Sequence, residues 1–347
     1  MTKIDIISGF LGAGKTTLIK KLIAEGLQAE KLVLIENEFG EIGIDGGFLQ
    51  DAGIGIREMN SGCICCSLVG DFSVALKKVL AQYAPDRIII EPSGVGKLSD
   101  VIKAVQAVQA ETALEMNSYT TVVDAQKCKM YMKNFKEFFN NQIAYANTIV
   151  LSRTQMMEEK ALEAVVHELK HVNEQAHVIT TPWEELNGED ILAVMNGSCQ
   201  LEKELMEKEH ICSVCGHQHK EHEHHHDHAH HHEEGSSCGC DHEHHDHDHH
   251  HHHADEVFSS WGLENVDACS REELKTVLEE LAHGTAYGTV LRSKGMIPST
   301  EPGEWLYFDL VPEEYEIRTG AADYTGKVCV IGSNLNEEAL SRAFGRK

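Results

Sequence analysis

A chain of 347 residues with 41% hydrophobic residues has room for two or three domains with real cores. Its net charge of −26 argues against a nucleic-acid partner, because phosphate backbones are held by basic surfaces, and suits a handler of cations. No apolar run reaches the roughly 18 residues of a membrane span and no secretory leader opens the chain, so a cytoplasmic protein with no membrane partner is expected. Its 11 cysteines then point to metal or redox chemistry more than to disulfides.

Lys3 to Ser8, with Ile4, Ile6 and Ile7, reads as a buried strand, and Thr17 to Glu25 as a helix that turns Leu18, Leu22 and Ile23 inward. Between them Gly9-Phe10-Leu11-Gly12-Ala13-Gly14-Lys15-Thr16-Thr17 fits the phosphate-binding pattern G-x-x-x-x-G-K-[ST] in the strand-to-helix context that the pattern needs. Glycines let backbone N–H groups wrap a phosphate chain, and the helix N-terminus adds a favourable dipole. Lys15 reaches the outer phosphates and the Thr16 hydroxyl can hold Mg²⁺. Gly9, Gly12, Ala13, Gly14, Lys15, Thr16 and Thr17 are therefore the candidate nucleotide-binding residues, with Lys15 also a candidate catalytic group.

Lys31 to Glu36 is a second short strand, which feeds the glycine-rich, acidic stretch Asn37 to Gly47, a loop by composition. Acids beside a phosphate site make sense with a cation present. Asn60-Ser61-Gly62-Cys63-Ile64-Cys65-Cys66-Ser67 then places three thiols within four positions. Thiolates suit Zn²⁺, and three of them leave a fourth position open, as an exchangeable site requires. Buried cysteines packing as small hydrophobes, or a vicinal redox pair, are the alternatives for Cys63, Cys65 and Cys66.

Phe72 to Gln82 looks helical, and Asp86 to Glu91 is a third strand followed by Pro92-Ser93-Gly94. In phosphate-loop enzymes a carboxylate at such a strand end positions Mg²⁺ or its water, and a following glycine can contact the terminal phosphate, so Glu91 and Gly94 join the candidate site. Glu91 and Asp45 are the positional candidates for a catalytic base. Thr120 to Asp124, Ala146 to Leu151 and Ala176 to Thr180 add strands. The segments Gln126 to Phe139, Ala161 to His171 and Ile191 to Met195 add helices. Strands alternating with helices predict an α/β fold, a P-loop NTPase with a wrapped, mainly parallel sheet over residues 1–196.

The motifs Gly-Phe-Leu-Gly-Ala-Gly-Lys-Thr-Thr, Glu-Asn-Glu-Phe-Gly-Glu, Gly-Cys-Ile-Cys-Cys-Ser and Glu-Pro-Ser-Gly, in that order, resemble those of the CobW-type GTPases, several of which are metallochaperones. The resemblance covers about residues 1–195. It implies GTP hydrolysis coupled to delivery of zinc, or of cobalt in cobalamin synthesis, with the three cysteines as ligands and Glu36 and Glu41 as auxiliary ones. Where the family carries Asn-Lys-x-Asp, with the Asp accepting from guanine N1–H and N2–H₂, this chain has Ser152-Arg153-Thr154-Gln155. Ser152, Arg153 and Gln155 are the base-side candidates. Arg153 can cover the base with its stem, and the Gln155 amide offers one uncharged acceptor; losing a charged hydrogen bond worth about 1.5 to 3 kcal/mol erodes guanine preference.

Residues 197–255 form a charged, His- and Cys-rich linker. From Gly216 to Glu256 no Leu, Ile, Val, Met, Phe, Trp or Tyr occurs, so disorder is the expectation. His210 to His253 holds 20 of the 24 histidines, which makes loose binding of several Zn²⁺, Co²⁺ or Ni²⁺ ions the expected property rather than a single closed site. His222, His224, His225 and His226 represent that set. Cys212, Cys215, Cys238 and Cys240 could add a tighter site, with a plain flexible linker as the alternative.

Residues 256–347 read as a small C-terminal α/β domain. Strands are expected at Glu256 to Trp261, Gly288 to Lys294, Trp305 to Leu310 and Lys327 to Ile331, with helices at Arg271 to Ala282 and Asn336 to Phe344. Arg292-Ser293-Lys294-Gly295 resembles a basic turn recurrent in the same family, able to meet a partner or the acidic loop. His283 reads as a surface histidine.

The expectation is a nucleotide-gated metallochaperone using GTP, Mg²⁺ and a transition metal, with a client metalloprotein as partner and homo-oligomerisation open. A metal store built on the histidine tract and a small-molecule kinase are the competing readings.

Overall fold

The computed structural model describes residues 1–36, 55–58, 69–205, 257–320, 322 and 325–345. The acidic stretch Asn37 to Gly47, the cysteine turn and the His/Cys tract lie outside the described residues, so the expectations placed on them are carried by sequence alone.

A seven-stranded sheet forms the first unit. Its strands are β1 (Thr2–Gly9), β2 (Leu32–Glu36), β3 (Gly55–Glu58), β4 (Arg87–Glu91), β5 (Leu114–Asp124), β6 (Thr148–Ser152) and β7 (His177–Ile179). They lie in the order β3-β2-β4-β1-β5-β6-β7, and every neighbouring pair is parallel. Parallel pairing needs crossovers, and the helices that supply them cover both faces, which is why β2 and β6 are buried at every residue. Ile4 and Ile6 of β1 enter one core with Val33, Ile88 and Ile90, while Ile7 enters the other with Leu34 and Ile89. The second core is closed by Leu18, Ile19 and Leu22 of α1 (Lys15–Gly26) and by Ile191, Leu192 and Met195. The last three belong to a helix expected to be short but running Gly188–Leu205.

The helical stretch expected from Gln126 to Phe139 is broken at Phe135 into Cys128–Asn134 and Lys136–Ala144. The break lets Tyr131, Phe135 and Phe139 converge on Phe10 of the phosphate loop, at centroid distances of 4.6, 5.3 and 5.8 Å. Phe258, the first core residue after the His/Cys tract, completes this cluster 5.0 Å from Phe138 and 6.2 Å from Phe10. An edge strand, β3, and a helix, Leu98–Gln109, were not foreseen.

The second unit is a five-stranded antiparallel sheet of β8 (Ser259–Glu264), β9 (Thr289–Pro298), β10 (Trp305–Val311), β11 (Glu314–Gly320) and β12 (Lys327–Ser333), in the order β11-β10-β9-β12-β8. One face carries Leu306, Phe308, Leu310, Val328 and Val330 against Leu274, Leu278 and Leu281 of the helix Arg271–His283 and Leu340 and Phe344 of the helix Glu337–Phe344. The other face meets the first unit, since Cys329 and Ile331 pack into its core. Arg292 to Gly295 lie within β9 and not in a turn, and β11 adds a strand the sequence reading lacked. His283 is exposed in the last helical turn, as expected of a surface histidine.

Candidate nucleotide site

β1 ends at the centre of the parallel sheet, and the chain turns from its carboxyl end into α1, where open α/β sheets bind ligands. The turn is closed by Ala13 N–H donating to the Phe10 carbonyl at 3.2 Å and Leu18 N–H donating to the Gly14 carbonyl at 2.9 Å. Gly14 caps α1 at φ 102°, in the left-handed region that favours glycine. Gly12, at φ 72°, has no room for a Cβ, because Val311 of β10 occupies that position. The phosphate loop is thus pressed directly by the second unit.

Lys15 is buried at the start of α1, with Nζ 3.9 Å from Glu91 Oε1. The Thr16 hydroxyl donates to the Glu91 carboxylate at 3.1 and 3.3 Å. One hydroxyl and one carboxylate, both hard oxygen donors at the edge of a phosphate loop, fit the sparse protein coordination of Mg²⁺. Thr17 is exposed one residue on. Gly94 follows β4 so closely against the loop that a Cβ there would lie 2.9 Å from Leu11 N. Its carbonyl accepts from Gln142 Nε2 at 3.1 Å, which fixes the turn.

Glu36 ends β2 in register with Glu91 on β4 and with Glu58 on β3. Glu36 is buried, at the point where the chain leaves for the acidic stretch. Glu41, Cys63, Cys65 and Cys66, and the tract ligands Cys212, Cys215, Cys238, Cys240, His222, His224, His225 and His226, lie outside the described residues. Among the described residues no three His, Cys, Asp or Glu side chains gather as a metal site.

On the base side, Ser152 is buried and its hydroxyl donates to the Ala13 carbonyl at 2.7 Å, tying the β6 loop to the phosphate loop. Arg153 adopts φ 60° and ion-pairs with Asp124, Nε to Oδ2 at 3.4 Å, and with Glu314 of β11. Lys127 Nζ approaches the same Glu314 carboxylate at 3.8 Å. Burial raises the Asp124 pKa, against the pull of Arg153 and Lys127, and burial lowers that of Lys127, against the pull of Glu314 and Asp124. Gln155 is exposed on the 3₁₀ turn Thr154–Met156 and does not line the cavity.

These parts enclose a cavity of about 760 Å³. Its floor is Gly12 and Gly14 to Thr17 with Glu91 and Arg153; its roof is Arg292, Lys294, Asp309 to Val311 and Glu313 to Glu316. Asp124, Lys127 and Glu314 escaped the sequence reading. Asp124 carries the strand-end signal that identified Glu91, whereas Glu314 sits in a different unit and has no local signature.

The chain matches the family described as CobW/HypB/UreG, nucleotide-binding domain, over residues 3–180, and the cobalamin synthesis protein cobW C-terminal domain over residues 258–346. It is similar to the zinc chaperone YeiR of Escherichia coli, 36% identical over 166 residues, which are 47% of this chain and 51% of that protein. It is also similar to the zinc chaperone CobW of Sinorhizobium sp, 31% identical over 220 residues, covering 55% of this chain and 61% of that one. The chain thus spans about half to three fifths of the curated relatives it matches. Among solved structures, the Zn(II)-bound YjiA GTPase of E. coli is 22% identical, covering 100% of this chain and 99% of that one, with a TM-score of 0.44. With the phosphate loop, the strand-end acid Glu91 and two family matches that together reach both structural units, the chain belongs to the CobW/HypB/UreG nucleotide-binding family and carries its CobW-type C-terminal domain.

Proposed function

We propose that this chain is a GTP-hydrolysing metallochaperone that takes up a transition metal, zinc first, and passes it to a client protein. The observation that carries this reading is the register of Glu36 with Glu91. Glu91 holds Thr16 at the phosphate loop, and Glu36, its neighbour across the parallel pair, opens the segment that leads to the cysteine turn. A change at the terminal phosphate therefore has one strand spacing, about 4.8 Å, to travel to a metal-side residue. The relatives called zinc chaperones support zinc as cargo.

In this reading Lys15 and the loop N–H groups bind the phosphate chain, and Thr16 and Glu91 hold Mg²⁺, which neutralises charge on the phosphates when bound. Water attacks the γ-phosphorus, and the bond to the β,γ-bridging oxygen breaks to leave GDP and phosphate. Glu91 is engaged by Thr16 and Lys15, which suits a positioning role better than proton abstraction. Glu36, Glu41, Cys63, Cys65 and Cys66 hold the cargo ion, while the His/Cys tract supplies a reserve of loosely bound metal. A cytoplasmic setting, with reduced thiols, fits this use of cysteine.

Steady-state turnover of GTP and ATP, each with and without Zn²⁺, Co²⁺ and Ni²⁺, tests the proposal. GTP hydrolysis that responds to Zn²⁺ and is lost in Lys15→Ala is expected. Phosphate release unaffected by any of the metals, or surviving in Lys15→Ala, would contradict it.

A further inference from the structure

The hairpin between β10 and β11 has a two-residue loop, because Val311 pairs with Glu314 and only Pro312 and Glu313 lie between them. Two-residue hairpins favour a positive φ at the first loop position, which Pro312 forbids. The turn instead puts the positive φ on Glu313, at 69°, a place where glycine or asparagine is normal. A glutamate is uncommon there, and Glu313 is one of five non-glycine residues at positive φ among the described residues. The turn is fixed from behind, since Glu313 N–H donates to the Ala282 carbonyl at 3.2 Å.

Glu313 lines the cavity together with Arg153 and the phosphate loop. Its neighbour Glu314 is taken by Arg153 and Lys127, and Asp124 by Arg153 and two backbone N–H groups, Gln126 at 3.0 Å and Lys127 at 3.3 Å. Glu313 is exposed on the cavity side of the hairpin, and its carboxylate makes no hydrogen bond or ion pair among the described residues. Gln155, at the position where the family's nucleotide domain carries its guanine-reading acid, does not line the cavity, whereas Glu313 does.

We infer that Glu313, from the C-terminal domain, is the specificity-determining acid of the nucleotide site, accepting hydrogen bonds from the N1–H and 2-amino group of a guanine base. Glu314 is a positioning residue: its pairing with Arg153 and Lys127 seats the hairpin over the base. This inference rests on the nucleotide-binding reading above. Adenine has an acceptor at N1 and no 2-amino group, so the same carboxylate disfavours it.

The test measures affinities of the full chain for GTP, ITP and ATP, in wild type, E313Q and E313G. Wild type is expected to prefer GTP over ITP, which lacks the 2-amino group, and over ATP. E313Q should lose about tenfold to a hundredfold in GTP affinity without loss of ATP affinity, the scale of one charge-assisted acceptor. E313G should show the same loss of preference together with a raised melting temperature, since glycine relieves the positive φ. Wild type with no preference for GTP, or E313Q with an unchanged GTP-to-ATP ratio, would overturn the inference while leaving nucleotide binding intact. E313G that gains stability yet keeps the preference would also overturn it. Failure of wild type to bind any nucleotide would instead refute the functional reading, and this inference with it.

Discussion

The Thr16 hydroxyl lies 3.1 Å from Glu91 Oε1, across 75 positions of sequence, so a polar contact ties the helix that begins at the phosphate loop to the strand that ends beside it. Glu91→Gln keeps the shape of this contact and removes the charge. We expect P-loop nucleotide binding to survive and the Mg²⁺ concentration for half-maximal hydrolysis to rise about tenfold, the scale of one charge-assisted bond. A Mg²⁺ titration of turnover measures it, and an unchanged midpoint would remove Glu91 from the metal side.

Beneath the site, Arg87 is 2% exposed and ion-pairs with Asp5, and its Nε donates to Glu30 at 2.6 Å. Asp5 also accepts from Ser118 at 2.6 Å and Asn117 at 2.7 Å. Arg87→Ala strands the Asp5 charge inside the sheet, and breaking a buried pair in this way costs about 3 to 5 kcal/mol. The unfolding free energy from a urea titration should fall by that amount. A loss below about 1 kcal/mol, the range of an exposed pair, would mean that water reaches Asp5.

Cys128 is fully buried at the start of its helix, and burial, with Asp124 and Glu168 adding to it, pushes its pKa up to about 12. The unfolded thiol titrates near 9.0, so the folded-state value is raised. The stability this burial carries is complete below about pH 9 and is lost as pH rises towards 12. Iodoacetamide at about pH 8 should therefore leave Cys128 unmodified in the folded chain and label it in denaturant, as read by peptide mass spectrometry. Rapid native labelling would contradict the burial.

The phosphate loop, Glu91 and most of the parallel sheet were legible because each rests on a local signal. Ile4, Ile6 and Ile7 put apolar side chains on both faces of β1, since a strand covered on both faces needs no alternation. β11 was missed because its sequence, Glu314 to Gly320, spends only Tyr315 and Ile317 on the core and faces solvent as an edge. The break at Phe135 was missed because a helical pattern continues across it; what ends the helix is the pull of Phe10 and Phe258, which are distant in sequence. The roof of the cavity was invisible for the same reason. Val311 and Glu314 acquire meaning only when β10 and β11 lie over Gly12 and Arg153.

In the proposed cycle nucleotide state and metal affinity are linked, and linkage between two sites is reciprocal for binding. The most direct measurement is a Zn²⁺ competition titration of the full chain carrying an intact cysteine turn, run with a non-hydrolysable GTP analogue, with GDP and without nucleotide. Coupling of this kind is typically about 1 to 3 kcal/mol, so Zn²⁺ affinities differing by about fivefold or more between the analogue and GDP states are predicted, and the difference should vanish in Cys65→Ala. Identical affinities in all three states would contradict the account.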